Sequence, residues 1–282
     1  MRKLNIVLAV LFVAAVSVWV ARGCTRTHRP VSEHKKVVAA VPRQAPVKPA
    51  TVAPSPPAAD FRMAIILDDW GTNYGLVKQA IDIHRPVTLS ILPHLKYSKK
   101  IAQEAHQNGL GVMLHLPMEP KLAREKMEPH TILTTTPDTE VIRTLDEAVA
   151  GIPYAEGVNN HTGSKATCDR RIMRLVLSRL KERGLFFVDS FVTAETVGPL
   201  VARELDIYFT KRNVFIDNEN NRDAIKKELR DATQIALKKG EVVVIGHDRR
   251  MTLAAIKEEV PEIEKRGVRL VFVRELVKKA AP

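Results

Sequence analysis

A chain of 282 residues that is 45% hydrophobic and 27% charged is long enough to bury a sizeable core, which excludes a wholly disordered protein. Its two cysteines allow at most one disulfide, excluding both a disulfide-stapled scaffold and a four-thiolate zinc site, so a metal here must be held mainly by His and carboxylates. The net charge of +12 is concentrated at one end: residues 1–60 hold nine Lys/Arg against Glu33 and Asp60, leaving only +5 for the rest, and with 5% aromatics and no basic–aromatic interleaving no nucleic-acid partner is expected.

Arg2 and Lys3 precede a nearly unbroken apolar run from Leu4 to Ala21. As a helix those residues span about 27 Å, enough for a bilayer core. Residues 1–21 therefore read as an N-terminal membrane anchor or signal segment, with cleavage or a lipid on Cys24 as the alternatives. Each version exports the protein; the anchored one holds it at the inner membrane, facing the periplasm or cell exterior. Residues 22–60 contain seven prolines and no hydrophobic periodicity, which predicts a disordered linker.

From residue 61 to 282 short apolar runs alternate with amphipathic stretches. The runs fall at 63–69, 87–93, 110–117, 156–161, 185–190, 207–210, 241–247 and 268–273. Near-continuous Val, Ile and Leu in runs this short predict strands buried on both faces of a parallel sheet. Between them, Thr136 and Pro137 read as the start of one helix, 169–183 as a second and 222–239 as a third. Eight strands separated by helical segments predict an α/β domain, a distorted (β/α) barrel of seven or eight parallel strands.

Active sites of such barrels assemble where the strands end. The predicted ends carry Asp68 and Asp69, His94, His115 with Glu119, Asn159 to His161, Asp189, and His247 with Asp248. Imidazoles and a carboxylate are the usual donors for an ion that keeps a position open for water, and a neighbouring carboxylate is then free to take a proton.

The segments IILDDWG (65–71), VMLHLPMEP (112–120), GVNNHTGS (157–164), LFFVDS (185–190) and IGH (245–247) closely resemble the divergent polysaccharide deacetylase family, exported bacterial proteins of the NodB-like barrel type, over roughly 62–277. The resemblance implies Asp68 as general base, Asp69 as metal ligand and His247 as catalytic acid. Ordinary polysaccharide deacetylases place two ligand His four residues apart; here those positions hold His115 and Glu119. His161 then stands as the third ligand, with Glu119 as competitor or as a group that orients His115. Asn160, Ser164, Asp189, Arg212 and Asp217 would support the site or touch substrate. The implied cofactor is a divalent metal, zinc by preference, and the implied partner a polysaccharide or peptidoglycan-type glycan of the cell envelope. The implied activity is removal of N-acetyl groups, with a degenerate barrel that only binds glycan, or a phosphoesterase, as alternatives.

Overall fold

The apolar runs become the strands of one curled sheet. The computed structural model describes residues 60–122 and 127–279, so the anchor at 1–21 and all of the 22–60 linker except Asp60 lie outside the described residues. Among the described residues no helix is long and apolar enough to cross a membrane.

The strands are β1 (Phe61–Trp70), β2 (Thr88–Ile91), β3 (Gly111–Met118), β4 (Gly157–Thr162), β5 (Phe186–Asp189), β6 (Tyr208–Lys211), β7 (Val214–Phe215), β8 (Glu241–His247), β9 (Val268–Val271) and β10 (Lys278–Lys279). The helices are α1 (Val77–Ile81), α2 (Ser98–Gln107), α3 (Asp138–Gly151), α4 (Arg170–Glu182), α5 (Gly198–Leu205), α6 (Arg222–Lys239) and α7 (Arg250–Lys265). All eight predicted strands are present, and α6 occupies the span its periodicity predicts. The start of α3 is shifted by one residue: Pro137 is its N-cap, and the Thr136 hydroxyl accepts from Leu133 N in the preceding turn.

The sheet runs β10-β6-β5-β4-β3-β2-β1-β8-β7, with β9 against the first half of β1, and every pair is parallel except β10 with β6. Consecutive strands β6 and β7 thus sit towards opposite edges. The residues between them bring those edges together: Arg212 N donates to Asp189 O at 2.9 Å, while Asn213 N donates to Val243 O at 2.8 Å. The distorted barrel is therefore closed by a bridging segment rather than by one continuous ladder.

Strand alternation divides the side chains into two sets. Met63, Ile65 and Leu67 of β1 face the helices, as do Val112, Leu114 and Leu116 of β3 and Val242 and Val244 of β8. The intervening Ala64, Ile66, Met113, Val188, Val243 and Ile245 form a second core inside the curl. Continuing those inner stripes towards the strand ends gives Asp68, His115, Asn159, Ser190 and His247. The same two-residue period that fills the interior with Val and Ile thus delivers the polar groups above it.

Candidate active site

Adjacent residues of a regular strand point to opposite faces, yet Asp68 and Asp69 both line one cleft of about 260 Å³. A bulge makes this possible. The β1–β2 register slips between Leu67 and Trp70, and Asp69 adopts φ 67°, a left-handed conformation unusual for a side-chain-bearing residue. Thr162 (φ 52°), the last residue of β4, and Phe191 (φ 50°), two residues beyond β5, also adopt left-handed conformations. Strain of this kind, about 1–3 kcal/mol per residue, accumulates where a fold aims side chains at a site.

Asp69 Oδ1, His115 Nε2 and His161 Nδ1 form a nearly equilateral triangle, with edges of 3.3, 3.1 and 3.2 Å. Among the described residues this is the one group of three His, Cys, Asp or Glu arranged to share an ion. The size fits: ligands at about 2.0–2.1 Å have edges of about 3.3–3.4 Å around a tetrahedral ion and about 3.0 Å around an octahedral one. One carboxylate oxygen and two imidazole nitrogens at this spacing could share a cation. Although burial opposes charge on His115, Asp68 and Asp69 push its imidazole up to about 9. Asp69 stays ionised well below the usual carboxylate range: burial is outweighed by its bonds to His115 and His161.

Asp68 is 3% exposed, and burial raises its carboxyl above the ordinary range, with His115 acting in the other direction. It receives Asn159 Nδ2 at 3.0 and 3.2 Å on its two oxygens and lies 3.6 Å from His115 Nε2. Beside it in the β1–β8 register is His247, whose Nε2 is 3.7 Å from Asp69 Oδ2. The other ring nitrogen, Nδ1, is 2.9 Å from the buried Asp217, which also accepts from His247 N and Thr252 Oγ1. Burial disfavours charge on His247, but Asp217 and then Asp69 and Asp68 raise it overall. Asp217 in turn is held low by His247, against its own burial.

The remaining predicted residues separate into those that line the cleft and those that support it. Asn160 and Ser164 line it, but the Asn160 amide is spent on Ser190 N and Thr162 O, and Ser164 Oγ accepts from Lys121 N. Asp189 belongs to the outward stripe of β5; buried and pushed up by burial, it takes Phe191 N and Thr196 Oγ1 and shapes the following loop. Arg212 donates to the Ser190 and Phe191 carbonyls and is lowered by its own desolvation. The expectation for Glu119 as ligand, or as the group orienting His115, is corrected. β3 ends at Met118 and the chain departs towards Ile132, and the Glu119 carboxylate is bound by Thr134 N, Thr134 Oγ1 and Lys165 Nζ at 2.6–2.7 Å.

Ser90, Asn159, Ser190, Val192 and Phe215 complete the site and were not assigned roles from sequence. For the inner-stripe residues the signal was strand phase: Ser90 shares a face with the core-lining positions, and Asn159 stands directly opposite His115 in the β3–β4 register.

Asp248, 7% exposed beside His247, accepts from Asn73 Nδ2 at 2.8 Å, and burial pushes its carboxyl up to about 7. Unfolded, it ionises near 3.8. Below about pH 3 it is protonated in both states; between there and pH 7 the unfolded chain sheds the proton that the folded state keeps, and above pH 7 the folded state must ionise it against burial, so its contribution to stability falls across that window. Asp248→Asn is therefore expected to stabilise the protein at pH 8 by about 2–4 kcal/mol, with the gain vanishing near pH 3. Urea melts at the two pH values measure it.

A distorted (β/α) barrel with acids and imidazoles gathered at its strand ends is the architecture of the polysaccharide deacetylases. Within that class, this chain belongs to the divergent polysaccharide deacetylase family, which it matches over residues 65–277. It is 30% identical over 211 residues to the uncharacterized protein YibQ of Escherichia coli (strain K12), a match covering 75% of this chain and 66% of that protein, so it spans just under two thirds of that relative's length. The crystal structure of uncharacterized protein ATU2773 from Agrobacterium tumefaciens C58 is similar at 26% identity and TM-score 0.74, covering 79% of this chain and 92% of that one. In fold alone the chain is also similar to BA3943, a CE4 family pseudoenzyme from Bacillus anthracis (11% identity, TM-score 0.52, 77% and 65% of the two chains).

Proposed function

We propose that this protein is an exported, metal-dependent deacetylase acting on N-acetylated glycan of the cell envelope. The observation that carries the reading is the Asp69–His115–His161 triangle, with Asp68 and His247 each within 4 Å of one of its members. Export rests on the apolar run at 4–21 and the proline-rich tether, which would hold the barrel beside envelope polymer.

Asp69, His115 and His161 would hold the ion; zinc suits one carboxylate and two imidazoles with a position left open. A divalent ion there supplies a Lewis acid for the acetyl oxygen and makes water acidic enough to attack near neutral pH. Asp68 accepts the proton of the attacking water as oxygen adds to the acetyl carbon. The C–N bond then breaks, with His247 Nε2 delivering a proton to the departing amine to give acetate and free amine. Asp217 keeps the Nδ1 proton of His247 and so aims Nε2 at the cleft. Val192 and Phe215 provide an apolar wall for the acetyl methyl group.

Incubating the zinc-loaded protein with N-acetylglucosamine oligomers and with peptidoglycan tests the reading directly. Acetate and an equal amount of new amine are expected; metal-loaded protein that releases neither, yet sediments with peptidoglycan, would instead be a binding module. The dyad gives a pH prediction. A general acid must be protonated, so its pKa sets the alkaline limb of the rate profile. Because Asp217 raises His247, Asp217→Asn is expected to move that limb to lower pH and to reduce kcat by about 10- to 100-fold, read from a kcat–pH profile.

A further inference from the structure

Asn159 is fully buried on β4, and every hydrogen-bonding position of its amide has a partner. Oδ1 faces His115 Nδ1 at 2.9 Å and accepts from Ser90 Oγ. Nδ2 donates to both Asp68 oxygens and to Ser190 Oγ at 3.1 Å. Ser190 Oγ spends its own proton on Asn160 O at 2.8 Å and therefore accepts from Asn159. These neighbours determine which way the amide points, since the reverse orientation would press its carbonyl oxygen against the Asp68 carboxylate. With Oδ1 an acceptor, His115 Nδ1 must carry a proton, which leaves Nε2, facing Asp69 and His161, as the nitrogen the ring can offer to an ion.

We infer that Asn159 is a positioning residue that couples the two halves of the site: one amide holds the base, Asp68, and sets the ring nitrogen that His115 offers to the ion. This rests on the proposed deacetylase reading and adds that the two halves can be separated by mutation. Asp at 159 keeps an acceptor for His115 but replaces the donor to Asp68 with a second carboxylate oxygen. Ala removes both.

The test uses the full chain with three readouts: zinc affinity by competition with a chromophoric chelator, the proton resonance of His115 Nδ1–H in the zinc-loaded protein, and kcat and KM for acetate release. Asn159→Asp is expected to bind zinc no more weakly than wild type and to keep the resonance, while kcat falls by about 100-fold or more at unchanged KM. Asn159→Ala is expected to lose the resonance and to weaken zinc binding by about 10- to 100-fold. Circular dichroism on both variants separates these effects from misfolding, and the near-isosteric Asp variant decides the matter if the Ala variant fails to fold. The inference is overturned if the Asp variant retains wild-type kcat or if a folded Ala variant keeps both resonance and affinity. Wild-type protein that binds zinc without releasing acetate overturns the deacetylase reading alone, and the two zinc readouts still decide Asn159. Wild-type protein that binds no zinc overturns both.

Discussion

Asp68→Asn is expected to reduce acetate release by about 10²- to 10⁴-fold, the range a positioned general base supplies, while zinc affinity changes little. The substitution is nearly isosteric in a buried site. The backbone contact from Asp248 N to Asp68 O is untouched, and the new amide occupies the place of the carboxylate beside Asn159. What it loses is basicity. Asp69, one residue further on, is held ionised by two imidazoles and is a poor proton acceptor, so the bulge places two chemically different carboxylates side by side. A parallel drop in zinc affinity and rate would instead make Asp68 a ligand. Metal titration and initial rates on the same preparation separate the two outcomes.

His161→Ala is expected to weaken zinc binding beyond the about 10- to 100-fold that loss of an outer partner costs, and to abolish acetate release. Its Nδ1 supplies two of the three edges of the triangle, so removal leaves Asp69 and His115 alone. Glu119→Gln provides the contrast. Its carboxylate serves Thr134 and Lys165, so zinc affinity is expected to stay at the wild-type value, with a stability loss of about 0.2–1 kcal/mol for an ion pair whose lysine is exposed. Reversal of these two results, measured by metal analysis after dialysis, would place the ion on Glu119.

The barrel was legible because strands buried on both faces read as short Val/Ile/Leu runs, and α6 because its buried face recurs at Ile225, Leu229, Ala232 and Ala236. β7 and β10 were not, since two residues carry no period. The inward turn of both Asp68 and Asp69 depends on a backbone conformation that the residue type at 69 does not announce. Glu119 misled because the four-residue spacing from His115 assumes that β3 continues, whereas it ends at Met118. Asp189 could have been assigned by phase: Val188 faces the interior, so its neighbour faces the helices.

The most direct test is a crystal of the protein soaked in zinc, with anomalous diffraction recorded at the zinc edge. One strong peak is predicted at about 2.0–2.2 Å from Asp69 Oδ1, His115 Nε2 and His161 Nδ1 together. A peak at Glu119, or a fully soaked crystal with no peak at the triangle, would contradict the metal centre on which the account rests.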